Sequence, residues 1–123
     1  MDDWKTGIED AAHRILGHVV RTPAVTLDAF GLGYPVEVKL EQLQHTGTFK
    51  ARGAFNTLLA SEVPAAGVVA ASGGNHGAAA AYAAKALGHP AHIFVPEMAG
   101  PSKIGLIRRT GTALTAGEGQ YAD

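Results

Sequence analysis

The stretch Val68-Val69-Ala70-Ala71-Ser72-Gly73-Gly74-Asn75-His76-Gly77 decides the fold. Four apolar residues too few for a helix give way to a polar, glycine-rich turn, and an alanine-rich run to Leu87 follows at once. That order reads as strand, tight turn, helix. The pattern then repeats. Ala91-His92-Ile93-Phe94-Val95 predicts a second strand, Pro101 to Arg109 a second helix and Ala113-Leu114-Thr115 a third strand, with Gly88, Pro90 and Gly111 marking the helix ends. Short strands alternating with helices imply an α/β fold with a parallel sheet and right-handed crossovers, a βαβαβ unit.

Working back toward the N-terminus, Val36-Glu37-Val38-Lys39-Leu40 alternates apolar with charged residues and predicts a strand with one face buried. A polar link from Glu41 to Thr48 feeds a helix from about Phe49 to Ala60, with Ala54, Phe55, Leu58 and Leu59 on its apolar face. Thr6 and Glu9 have the spacing of a capping box, and Ile8, Ala11, Ala12, Ile15 and Leu16 recur at helical spacing before Gly17. The segment between them, through Arg21-Thr22-Pro23 and the Gly31-Leu32-Gly33 loop, reads as connector. A composition shift over Ser61 to Gly67 predicts a boundary between two subdomains, 1–60 and 61–123, and the tail from Gly117 breaks off where another helix could begin.

Composition narrows the function. With 46% apolar and 17% charged residues the chain is globular rather than disordered. Ten basic against eleven acidic residues, with no basic stripe, argue against nucleic acid. The absence of cysteine excludes a disulfide framework and a thiolate metal site. No apolar run is long enough to span a bilayer, and the start Met1-Asp2-Asp3-Trp4 lacks the features of a signal peptide, so no membrane partner and a cytoplasmic setting are expected.

Two segments carry chemistry. In Thr46-Gly47-Thr48-Phe49-Lys50-Ala51-Arg52-Gly53-Ala54 the amine of Lys50 falls at a helix start beside Phe49 and among small residues. An apolar, open neighbourhood there would desolvate the amine, and the positive helix terminus disfavours an ammonium, so both would make it nucleophilic. The alternative is that Phe49 is core, Lys50 points outward and the glycines only shape a turn. The Ser72 to Gly77 turn presents backbone N–H groups and a hydroxyl at the carboxyl end of a strand, where open α/β sheets bind anions such as carboxylate or phosphate. Alone, such a turn is as often merely tight or nucleotide-binding. The pairing with Lys50 gives it specificity.

Together with Lys39-Leu40-Glu41-Gln42 and Ala54-Phe55-Asn56, these motifs resemble the N-terminal part of the threonine/serine dehydratase and serine racemase family, fold type II (tryptophan synthase β-like) among pyridoxal-phosphate enzymes. The resemblance runs from about Thr6 to Ala122. It implies that Lys50 holds pyridoxal 5'-phosphate as a Schiff base, that Phe49 packs against the pyridine ring and that Asn75 hydrogen-bonds the ring's 3' oxygen. Ser72, the backbone around Gly73 and His76 would receive the carboxylate of a small amino-acid substrate. The freed lysine would take the α-proton, and loss of the β-hydroxyl would lead to a 2-keto acid and ammonia. Gln44-His45 stands where the cysteine-synthase and threonine-synthase branches carry Asn-Pro, which favours the dehydratase branch. In the racemase branch the position of Gly73 resembles a serine whose hydroxyl protonates the α-carbon from the face opposite the lysine, so glycine here implies elimination.

The same resemblance places the cofactor-phosphate loop and the pyridine-nitrogen partner in a later part of a longer chain. This sequence is therefore expected to be an N-terminal piece, with 1–60 beginning the large domain, 61–123 supplying much of the small one, and a homo-oligomer as the intact protein. Rival readings are a racemase, a dehydratase of another β-hydroxy amino acid, and a non-catalytic α/β module that binds a nucleotide or small anion at the Ser72 turn. Among other residues, His89 and His92 lack a third metal ligand nearby. Arg52 is read as one half of a structural ion pair, Arg108 and Arg109 as complements to a helix dipole, and Trp4 and Tyr82 as packing residues.

Overall fold

The computed structural model describes residues 3–117. Helix α1, Trp4–Arg14, is followed by an antiparallel pair, β1 (Ala24–Leu27) and β2 (Val36–Lys39). Two single 3-10 turns, Glu41–Leu43 and His45–Gly47, lead into α2, Lys50–Ala60. The remainder is β3 (Val68–Ala71), α3 (Asn75–Ala86), β4 (Ala91–Pro96), α4 (Pro101–Arg109) and β5 (Ala113–Gly117). The sheet order is β3-β4-β5 and both pairings are parallel, as the alternating pattern predicts. The expected helix beyond Gly117 falls on residues outside those described. Among the described residues, no helix is long and apolar enough to cross a membrane.

Both connecting helices lie on one face of that sheet. Ala78 and Ala81 of α3 and Ile107 of α4 share a buried cluster with Ile93 and Val95 of β4. The alanines make this possible, because small side chains let a helix approach a strand closely. On the opposite face, Val69 is 71% exposed and Phe94 is exposed beside it. A second cluster joins Ile15, Ala54 and Phe55 to Ala79 and Ala83, so α2 and α3 pack together across the Ser61–Gly67 link.

Three sequence expectations change. The connector after Pro23 contains a strand, β1, whose four residues acquire their backbone partners from β2, with Val25 opposite Val38. The Thr6–Glu9 capping box does not form. Asp3 occupies the cap position three residues earlier than expected, and Thr6 lies inside α1 with its hydroxyl donating to Asp3 Oδ2 at 2.6 Å. That hydrogen bond holds the Asp3 carboxyl below its ordinary range. Trp4 does not pack: it is 74% exposed, as are Ile8 and Leu16 in large part, and of the predicted apolar face only Ile15 is buried. The helix meets α2 along a narrow edge, where Arg14 donates to Asn56 Oδ1 at 2.6 Å.

Candidate functional site

At the end of β3 the Ser72 N–H donates to the Phe94 carbonyl at 2.9 Å, extending the parallel ladder one residue into the turn. The Ser72 hydroxyl then turns back and accepts from the Gly74 N–H at 3.3 Å. Gly74 is the cap of α3 and supplies no side chain to the helix terminus. The first intrahelical bond runs from the Ala78 N–H to the Gly74 carbonyl. The N–H groups of the preceding turn therefore lack intrahelical acceptors, as at any helix start. Sequence reading places Gly77 in this motif without assigning it a role. A Cβ there would stand 2.1 Å from the Ser72 carbonyl oxygen and 3.2 Å from Ile93 Cγ2. Glycine is what lets the first turn of α3 rest on the end of its own strand.

Around that turn Gly73 is buried, Ser72 half-buried, and Asn75 and His76 exposed. His76 flanks a largely apolar groove of about 250 Å³ between α2, β3 and α3, which Ala54, Leu58, Val69 and Ala80 also line.

Lys50 is the first residue of α2, as expected. Thr48, half-buried, accepts from the Lys50 N–H through Oγ1 at 3.3 Å, a local contact absent from the sequence reading. The amine itself is exposed, and its Nζ stands 5.4 Å from the centroid of the Phe49 ring, which is 59% exposed. The described residues do not form the apolar enclosure expected around this amine. They leave it without an ion pair and with one aromatic face at its side.

Behind Lys50 lies a dense polar network. Arg52 Nε and Nη2 fork onto the two carboxylate oxygens of Glu41 at 2.8 and 2.7 Å, bearing out the structural ion pair read for Arg52. Glu41 also receives the Thr22 hydroxyl and has Lys39 Nζ at 3.7 Å. The Arg52 hydrogen bonds, aided by Thr22 and the cations, bring the Glu41 carboxyl down to about 2. Gln44, buried, holds Val20 at both ends, accepting from its N–H at 3.0 Å and donating to its carbonyl at 2.8 Å. Tyr82 packs as expected, stacked on His45 and hydrogen-bonded to its Nδ1 at 3.1 Å. His92 stacks on Phe94 and bonds Thr115 Oγ1 at 2.8 Å. Among the described residues no three His, Cys, Asp or Glu side chains gather to hold a metal.

Lys50 and Asn75 thus each open a helix, and these two helices pack against each other. An exposed primary amine, a flat ring beside it and a helix start whose first-turn N–H groups have no intrahelical acceptors fit an aromatic aldehyde that carries a phosphate, or an amino acid bound to it.

Residues 15–123 match the family described as pyridoxal-phosphate dependent enzyme. A phenylserine dehydratase of Ralstonia pickettii is 47% identical over 73% of this chain and 28% of its own length. An L-threonine ammonia-lyase of Geobacter sulfurreducens is 40% identical over 89% of this chain and 28% of its own length. The solved structure of maize serine racemase superposes with a TM-score of 0.88 at 35% identity, covering 96% of this chain and 37% of that one. The chain belongs to the pyridoxal-phosphate dependent enzymes, of fold type II, and its family's cofactor is pyridoxal 5'-phosphate. It spans about a third of the length of these relatives.

Proposed function

We propose that this chain supplies the cofactor lysine and the substrate-carboxylate turn of an ammonia-lyase that converts L-threonine or L-serine to a 2-keto acid and ammonia. The observation that supports this most is the exposed Lys50 amine at the start of α2, on a helix packed against the one that rises from the Ser72 to Gly77 turn. Bound pyridoxal phosphate supplies an electron sink for negative charge developing at the substrate α-carbon. Everything else falls to side chains of the protein.

Lys50 Nζ holds the cofactor, and once displaced by substrate its free amine accepts the α-proton. Phe49 would pack against the pyridine ring, and the Asn75 amide would donate to the ring oxygen. The substrate carboxylate is received by the Ser72 hydroxyl, the backbone around Gly73 and His76, where the open end of α3 favours negative charge. Protonated departure of the β-hydroxyl as water completes the elimination, and hydrolysis of the released enamine gives the 2-keto acid and ammonia. Gly73 offers no proton donor on the face opposite Lys50, so elimination is favoured over racemisation, which needs an acid or base on each face. In this reading 1–60 begin a large domain and 61–123 belong to a small one, within a cytoplasmic homo-oligomer.

The second reading, racemisation, draws on the likeness to maize serine racemase. Chiral chromatography separates the two. After the enzyme that contains this chain is incubated with L-serine, the lyase reading expects pyruvate with little D-serine. Abundant D-serine would put the racemase first, and turnover of another β-hydroxy amino acid in preference to both would reassign the substrate.

A further inference from the structure

Thr46 has a conformation that its side chain does not favour. Its φ is 61° and its ψ 9°, the left-handed region, where a β-branched residue is an outlier. Its hydroxyl is buried and meets no hydrogen-bond partner among the described residues. Backbone of this kind persists only where surrounding contacts over-determine it. Those contacts are on both sides of Thr46. The Glu41–Arg52 fork closes the base of the segment that contains it, and Arg52 Nη2 reaches the Val20 carbonyl at 3.2 Å. Gln44, two residues before Thr46, is tied to the same Val20 through both of its amide atoms.

The segment between these anchors delivers Lys50. Gly47 continues the left-handed turn at φ 74°, Thr48 returns to extended backbone and accepts from the Lys50 N–H, and α2 begins. Among the described residues the Lys50 amine has no ion pair to hold it, so its location follows from the backbone of that first turn. A relaxed loop would bring the chain into α2 along another path.

Resting on the lysine role given above, we propose that Thr46 is a positioning residue for Lys50. The Glu41–Arg52 clamp holds Thr46 in its unfavourable conformation, and that conformation sets where the cofactor amine stands. A residue kept for fold stability and a residue kept for positioning behave oppositely on substitution. Thr46→Gly relieves the left-handed backbone and removes the unpaired hydroxyl. It should therefore stabilise the fold while loosening the amine.

The test uses the intact enzyme that contains this chain, pyridoxal phosphate as the probe, borohydride trapping, and the share of pyridoxyl label on Lys50 relative to the other lysines, Lys5, Lys39, Lys85 and Lys103 among them. The thermal midpoint is read in parallel. For Thr46→Gly the account expects a midpoint higher by about 3 °C and a relative Lys50 share lower by about tenfold. A midpoint and a share that fall together would make Thr46 an ordinary structural residue and overturn the proposal, as would an unchanged share in the folded variant. Thr46→Asn, which favours the same left-handed region, should raise the midpoint and leave the Lys50 share in place; a share that falls with it would overturn the proposal, as would failure of both variants to fold. Label spread evenly over the lysines in the unsubstituted enzyme would instead reject the lysine role itself.

Discussion

Gly77 performs no chemistry, yet the Ser72 turn depends on it. An added methyl would stand 2.1 Å from a backbone oxygen that cannot swing away. Gly77→Ala is expected to cost about 2–3 kcal/mol in urea unfolding. Gly105, inside α4, is the control: its Cβ would meet only the far end of the Arg109 side chain at 3.7 Å, so Gly105→Ala should stabilise by about 0.5–1 kcal/mol. Glu41 gives a pH signature. Its folded value of about 2 lies below its ordinary 4.5, so the stability it contributes is complete above the latter and disappears as pH falls toward the former. In acid melts between pH 5 and 2, the advantage of the unsubstituted protein over Glu41→Gln should therefore shrink steadily. A constant advantage would place the stabilisation elsewhere. Sequence reading anticipates an ion pair at Arg52 but not its partner, because nothing in one dimension distinguishes Glu41 from the other acids. The same holds for Gly77, whose constraint comes from a carbonyl five residues back that is close only in the folded turn.

At the scale of elements, α4 is legible to the residue. Pro101 at its first position and Gly111 just past its end are local signals, and local signals survive folding. β1 is not legible, since Ala24 to Leu27 have no alternation strong enough to read and become a strand by pairing with β2. α1 begins early for a related reason, two competing caps three residues apart, of which Asp3 prevails. The sheet carries a prediction of its own. Ile107 of α4 is fully buried between α3 and the sheet, whereas Val69 faces outward on the uncovered side. Ile107→Ala should cost about 2–4 kcal/mol, and Val69→Ala less than about 0.5 kcal/mol, in the same unfolding experiment. A large loss from Val69→Ala would show that the face is covered in solution.

For the molecule as a whole, the pairing of two short motifs reveals the family, but the environment of the lysine cannot be read from it. Phe49 and the small residues around Lys50 suggest an enclosure, yet walls around an amine come from segments remote in sequence, and here the amine is open. The chain also spans about a third of its relatives and leaves Trp4, Leu16, Val69 and Phe94 exposed. A phosphate dianion needs several preorganised donors, and one turn offers few. The 123-residue chain alone is thus expected to bind pyridoxal phosphate weakly, release no keto acid in a coupled assay and self-associate on size exclusion. Sustained keto-acid release by it would contradict this. The central claim is the role of Lys50, and the most direct measurement is borohydride reduction of the cofactor-loaded enzyme followed by peptide mapping across its lysines. The account predicts one pyridoxyl group on Lys50 in the Thr46 to Ala54 segment. Label on Lys39, Lys85 or Lys103 in its place would contradict it.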